Sequence, residues 1–147
     1  MKGDPIPPHN HVARYCKAST FFVDQNGQPT RVLESAFRPR PSDGDGISVI
    51  WFEFFQGTRP HNLACVRSVT KLTVKPTDSF ALLHVGKMVN SLVGVVALVV
   101  EEDPVDDLPP HKNAAHALIK PVAALNDQGV RDIIASTIVL PGDLEKY

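Results

Sequence analysis

Gly46-Ile-Ser-Val-Ile-Trp-Phe-Glu-Phe-Phe-Gln56 is the densest run of β-branched and aromatic residues in the chain. Apolar side chains take both parities, Ile47, Val49, Trp51 and Phe55 on one and Ile50, Phe52 and Phe54 on the other. A strand apolar on both faces is covered on both sides, so the stretch reads as the central strand of a sheet. Glu53 lies inside it. A lone buried carboxylate is costly unless it is paired or protonated, so function is expected around the partner of Glu53.

Outward from that strand, thirteen prolines cut the chain into short elements. Proline removes a ladder donor and breaks helix interiors. Residues 1–10 form an extended lead-in, and His11–Cys16 is too short to assign by periodicity. Asn26-Gly27 between two β-rich runs predicts a hairpin, because both residues tolerate positive φ. Residues 38–46 are a polar loop leading to the central strand. Beyond it, Thr58 and Pro60 open an expected helix over 60–68. Thr70–Lys75 and Phe80–Val85 read as strands, Gly86–Ser91 as one helical turn, and Leu92–Val100 as a buried valine-rich strand. Asn113–Ile119 reads as a short helix or irregular segment. Asn126 is expected to cap a helix whose apolar face is Val130, Ile133, Ile134 and Ile138, and residues 142–147 are read as a tail. The expected fold is a single α+β domain over 1–147, a mixed, mainly antiparallel sheet of five to seven strands with two or three short helices.

Bulk properties narrow the function. The 147 residues suffice for one core. Cys16 and Cys65 form neither a disulfide framework nor a ligand pair, which points to a reducing, cytoplasmic setting. No signal peptide is read at Met1–Pro5, and the longest apolar run, Leu92–Val100, is nine residues, under half a membrane span. The net charge of −1 divides unevenly. Arg14–Lys87 carries ten Lys and Arg against six Asp and Glu, and Met88–Tyr147 four against nine. With a pI near 6.6, nucleic acid is a disfavoured partner. The acidic excess lies at Glu101-Glu102-Asp103-Pro104-Val105-Asp106-Asp107, within a proline-rich loop over 101–112 that offers a docking surface for a basic protein partner.

No phosphate loop, G-x-S-x-G elbow, H-E-x-x-H or zinc-binding cysteine pair is present, so no cofactor is expected. The six histidines are dispersed, and no metal site is expected. Candidate residues come instead from polar side chains inside apolar segments, which need partners. Arg14 with Glu53 is the pair drawn first, since a guanidinium fork is the best neutraliser of a carboxylate within a sheet. Read structurally, the pair is a core salt bridge that fixes strand register. Read functionally, Arg14 holds an anionic ligand, Glu53, His11 or His116 handles a proton, and Tyr15 or Trp51 stacks on a ring.

The patterns His11-Val-Ala-Arg-Tyr15, Ala36-Phe37, Ile47-Ser-Val-x-Trp51-x-Glu53 and His116-Ala-Leu-Ile119 resemble a set of short uncharacterised bacterial proteins. That resemblance implies a bacterial, cytoplasmic protein and no particular activity. The order Arg14 or His11, Ser48, Glu53 is similar to that of ADP-ribosyltransferase-like folds. However, the S-T-S and E-x-E patterns are missing, and Ser48 and Glu53 have opposite parity on one strand. The reading preferred from the residues is a non-catalytic accessory or protein-interaction module. The alternative is a small enzyme or ligand-binding domain for a nucleotide-like or other anionic substrate.

Overall fold

A computed structural model describes residues 1–70, 75–107, 112–140 and 142–146. Its centre is a six-stranded sheet built from β1 (His11–Cys16), β4 (Ile47–Trp51), β5 (Ser79–His84), β6 (Val99–Glu102), β7 (His116–Lys120) and β8 (Leu144–Lys146), in the order β6-β7-β4-β1-β5-β8. Every neighbouring pair is antiparallel. A separate hairpin joins β2 (Phe21–Val23) to β3 (Pro29–Val32). At its turn Gly27 takes φ 76°, while Asp24 Oδ1 accepts the N–H groups of Asn26 and Gln28. The helices are α1 (Arg59–Thr70), α2 (Val85–Ser91) and α3 (Gln128–Ser136). This is an α+β domain, with a sheet wholly antiparallel among the described residues where some parallel pairing was expected.

Alternation along the strands divides the core in two. Val12, Ile47, Val49, Ala81, Leu83, Ala117 and Ile119 pack with α2 and α3 on one face. Ala13, Ile50, Leu82 and Phe80 pack with Leu63 and Val66 of α1 on the other. No helix among the described residues is long and apolar enough to cross a membrane.

Several expected elements differ. β4 ends at Trp51, and Phe52–Phe55 turn into a 3-10 helix closed by Gln56 at φ 52°. Glu53 is therefore a half-exposed turn residue and not a carboxylate inside a sheet. Leu92–Val100 is not a buried strand. Gly94 turns the chain at φ 84°, leaving Val93 76% and Val95 60% exposed, and strand pairing starts only at Val99.

Residues 113–119 form no helix. Alternation buries Ala117 and Ile119 on one sheet face and turns His116 and Leu118 to the other, so β7 is a strand. Asp127, not Asn126, caps α3, its side chain accepting the N–H of Val130 at 3.2 Å. Leu144–Lys146 is no tail but pairs with β5. The lead-in seals the edge of β6, where Gly3 N–H and Ile6 N–H donate to Glu102 O and Val100 O. The expected strand at 70–75 falls largely on 71–74, outside the described residues; Thr70 itself ends α1.

Candidate functional site

Glu53 pairs with His11 and not with Arg14. The turn at Phe52–Phe55 swings the carboxylate back to the start of β1. There Oε1 accepts His11 N–H at 2.7 Å and Oε2 lies 2.9 Å from His11 Nδ1. The carboxylate places the His11 proton on Nδ1. His84 stands edge-on to His11, ring centroids 5.1 Å apart, and its own Nδ1 accepts Lys87 N–H to cap α2.

Arg14 points to the opposite sheet face and is 1% exposed. Its donors go to backbone carbonyls: Nε to Ala36 O at 3.0 Å, Nη1 to Ser48 O at 2.8 Å and Nη2 to Arg38 O at 3.4 Å. Burial, then the charge of Arg40, lowers its pKa to about 10. The expected core salt bridge is absent, because β1 alternation sends His11 and Arg14 to different faces and dipoles take over the neutraliser's role.

Trp51 is also committed elsewhere. Its Nε1 donates to Asn10 Oδ1 at 2.8 Å, and its ring packs against the core on the α2 and α3 side. Tyr15 lies on the α1 side. Its hydroxyl donates to Asp78 Oδ2 at 2.8 Å, and Arg40 covers its ring at 5.0 Å. Burial, then the bond to Asp78, pushes the phenol up to about 12. Burial raises the Asp78 carboxyl too, but bonds from Lys75 N–H, the Tyr15 hydroxyl and Ala18 N–H outweigh it and hold the pKa below its ordinary value.

His116 has a separate partner. The β6–β7 register sets Asp103 beside it. Asp103 N–H donates to His116 O, while His116 Nδ1 lies 2.9 Å from Asp103 O and 3.2 Å from its Oδ2. A carbonyl can only accept, so Nδ1 carries a proton and donates it. His116 lines two adjoining cavities on the α1 side of the sheet, one of about 470 Å³ and one of about 190 Å³, the smaller also walled by Val69 and Thr70 at the end of α1. Ser48 lines both as well; it pairs with Leu118, which makes it the diagonal cross-strand neighbour of His116. The larger cavity carries Asp43, Asp45, Glu101, Glu102 and Asp103 against Lys2 and Lys120. Tyr15, Ile50 and Phe80 give the smaller one an aromatic and apolar wall, with Arg40 at its rim.

The four-residue pocket expected from the sequence therefore splits. His11 and Glu53 stay together, His116 joins Asp103 two strands away, and Arg14 lies under the sheet. Asp103 was missed because it sits in the acidic run, and only the register of β6 on β7 reveals its role. Four carboxylates of that run also form ion pairs within the chain, mostly at the surface. Lys120 Nζ lies 2.9 Å from Glu101, the N-terminal amine 3.1 Å from Glu102, Lys2 3.5 Å from Asp103 and Lys112 3.5 Å from Asp106. The bond to Glu101 raises the Lys120 pKa.

Elsewhere, Cys65 Sγ stands 3.5 Å from His61 Nε2 on the exposed side of α1, outside both cavities. Another cavity, of about 530 Å³, lies between β3 and α3 and is lined by no histidine. No group of three or more His, Cys, Asp and Glu side chains converges on a metal position among the described residues, and His111 lies outside them. No family model, no curated protein and no solved structure matches the chain. The functional reading therefore rests on the site.

Proposed function

We propose that the protein is a small ligand-binding domain whose groove crosses the α1 side of the sheet at Ser48 and His116. The observation that carries this reading is His116, held through Nδ1 by Asp103 while lining both cavities. An imidazole oriented by a carboxylate, with Nε2 directed at bound matter, is the arrangement that exchanges a proton with a ligand. The walls define the ligand class. A flat apolar ring suits Tyr15, Ile50 and Phe80, and a donor or cationic edge suits the carboxylates beyond His116. A nucleoside or an aromatic amine has both features.

The interaction-module reading rests on the acidic run, whose Glu101, Glu102 and Asp103 also line the larger cavity, so a small cationic ligand and a basic partner would compete for the same carboxylates. The earlier enzyme reading, with His11, Arg14, Glu53 and His116 in one pocket, loses support from their separation.

The test is calorimetric titration of the full chain with the four ribonucleosides and tyramine, beside a His116→Ala variant. Saturable binding by at least one of them, weakened tenfold or more in the variant at unchanged thermal midpoint, supports the groove. Binding by none, or binding indifferent to His116, overturns it.

A further inference from the structure

A fourth cavity, of about 180 Å³, opens where β1 runs out against the Glu34–Phe37 turn and the following prolines. Four cations line it, Arg14, Lys17, Arg38 and Arg40, together with the hydroxyl residues Thr20 and Ser35. Among the described residues no Asp or Glu lines it. Like charges around a small space repel, and the repulsion grows as the surroundings are desolvated. Arg14 is buried and its guanidinium donates only to carbonyl oxygens; Asp43 offsets its charge through space, with no ion-pair contact to Arg14. Outside the cavity, Arg38 meets Glu34 at 3.7 Å, while Arg40 donates its backbone N–H to the Asp43 carboxylate at 2.6 Å and a guanidinium N–H to Tyr15 O at 3.3 Å.

We propose that this cavity binds a tetrahedral oxyanion, a phosphate or the phosphoryl group of a larger ligand. Guanidinium groups match the oxygens of such an anion as planar donors, and Lys17 adds a point charge at the mouth. The volume is below the range of about 300–1,000 Å³ that encloses a drug-sized ligand, so one phosphoryl group is the part it accommodates. Burial, then the neighbouring Arg40 charge, lowers the Arg14 pKa, with Asp43 offsetting part of the effect. The site does not depend on the His116 groove. The two are nevertheless adjacent, since Tyr15 and Arg40 line both the basic cavity and the smaller groove cavity. One molecule with a ring and a phosphate could therefore span them.

The experiment titrates the full chain with inorganic phosphate, adenosine monophosphate and adenosine, with chloride at matched ionic strength as control. Thermal midpoint and calorimetry provide the readouts. Phosphate is expected to bind saturably and raise the midpoint where chloride does not. Arg14 is left intact because its carbonyl bonds hold the fold. Lys17→Gln and Arg38→Gln, both at exposed side chains, are expected to weaken phosphate binding at least fivefold each while leaving the ligand-free midpoint within a few degrees. Adenosine monophosphate binding more than tenfold tighter than phosphate assigns the site to the phosphoryl group of a larger ligand, and equal binding assigns it to the free anion. Phosphate binding without adenosine binding upholds this site and shows that it does not need the groove. Equal responses to phosphate and chloride, or binding unaffected by both substitutions, overturn the proposal.

Discussion

Asp103 fixes His116 by two acceptors at once, its backbone oxygen 2.9 Å and its carboxylate 3.2 Å from the ring Nδ1. The backbone bond alone sets the tautomer; the carboxylate adds charge and holds the ring plane. Asp103→Asn is therefore expected to keep the fold and weaken binding in the groove about tenfold, the worth of one charge-assisted hydrogen bond. Titration calorimetry of the variant checks it, and unchanged affinity would count against a role for the carboxylate.

Glu53 serves local structure. Its carboxylate receives both the backbone and the ring of His11, and neither residue lines a groove cavity. Glu53→Gln is expected to cost about 1 kcal/mol of stability, since the pair is partly solvated and the amide retains one acceptor. Groove affinity should not change. Urea denaturation with parallel ligand titration separates the two effects.

Arg14→Met removes a buried side chain that satisfies the carbonyls of Ala36, Ser48 and Arg38. Methionine fills much of the volume but offers no donor. The expected loss is about 2–4 kcal/mol, from carbonyls left without partners in the core. Chemical denaturation of the variant would show it as a lower midpoint at unchanged slope.

The Tyr15–Asp78 pair makes stability depend on pH at both ends. Tyr15 has its folded pKa raised to about 12, against an ordinary value of about 10. Its contribution is complete below about pH 10 and fades as pH rises toward 12. Asp78 has its folded pKa lowered, so its contribution is complete above the ordinary carboxylate value of about 4 and is lost as pH falls through the folded one. Tyr15→Phe should abolish the alkaline loss attributable to this phenol and weaken the acid one. Tyrosinate absorbance and denaturation midpoints against pH test both.

Much of the fold was legible wherever local chemistry decides the conformation. The Asn26-Gly27 turn, the Thr58 start of α1 and the α3 face of Val130 and Ile134 follow from turn, cap and period. The Gly46–Gln56 run misled because apolar residues on both parities describe a buried strand and a strand passing into a 3-10 turn equally well. Tertiary demand decided for the turn, which brings Phe52 under α1 and Glu53 onto His11. Leu92–Val100 misled in the same way, since composition alone does not show that Gly94 reverses the chain. His116 and Tyr15 were found as polar residues beside apolar ones. Asp103, Asp78 and Arg40 were not, because each acquires its role from a cross-strand register or a long-range loop contact that leaves no local pattern. The Arg14–Glu53 pair failed on strand parity at β1, where His11 and Arg14 necessarily face apart.

The groove is tested most directly by histidine-selective NMR of the full chain during titration with the ribonucleosides and tyramine. Six histidines give separable ring signals, assigned by single substitution. The expected result is a saturable shift of the His116 ring under at least one of these ligands, while the exposed His61 ring on α1 stays still. His116 signals that remain unmoved by all of them to millimolar concentration, or that move only in step with His61, would contradict it.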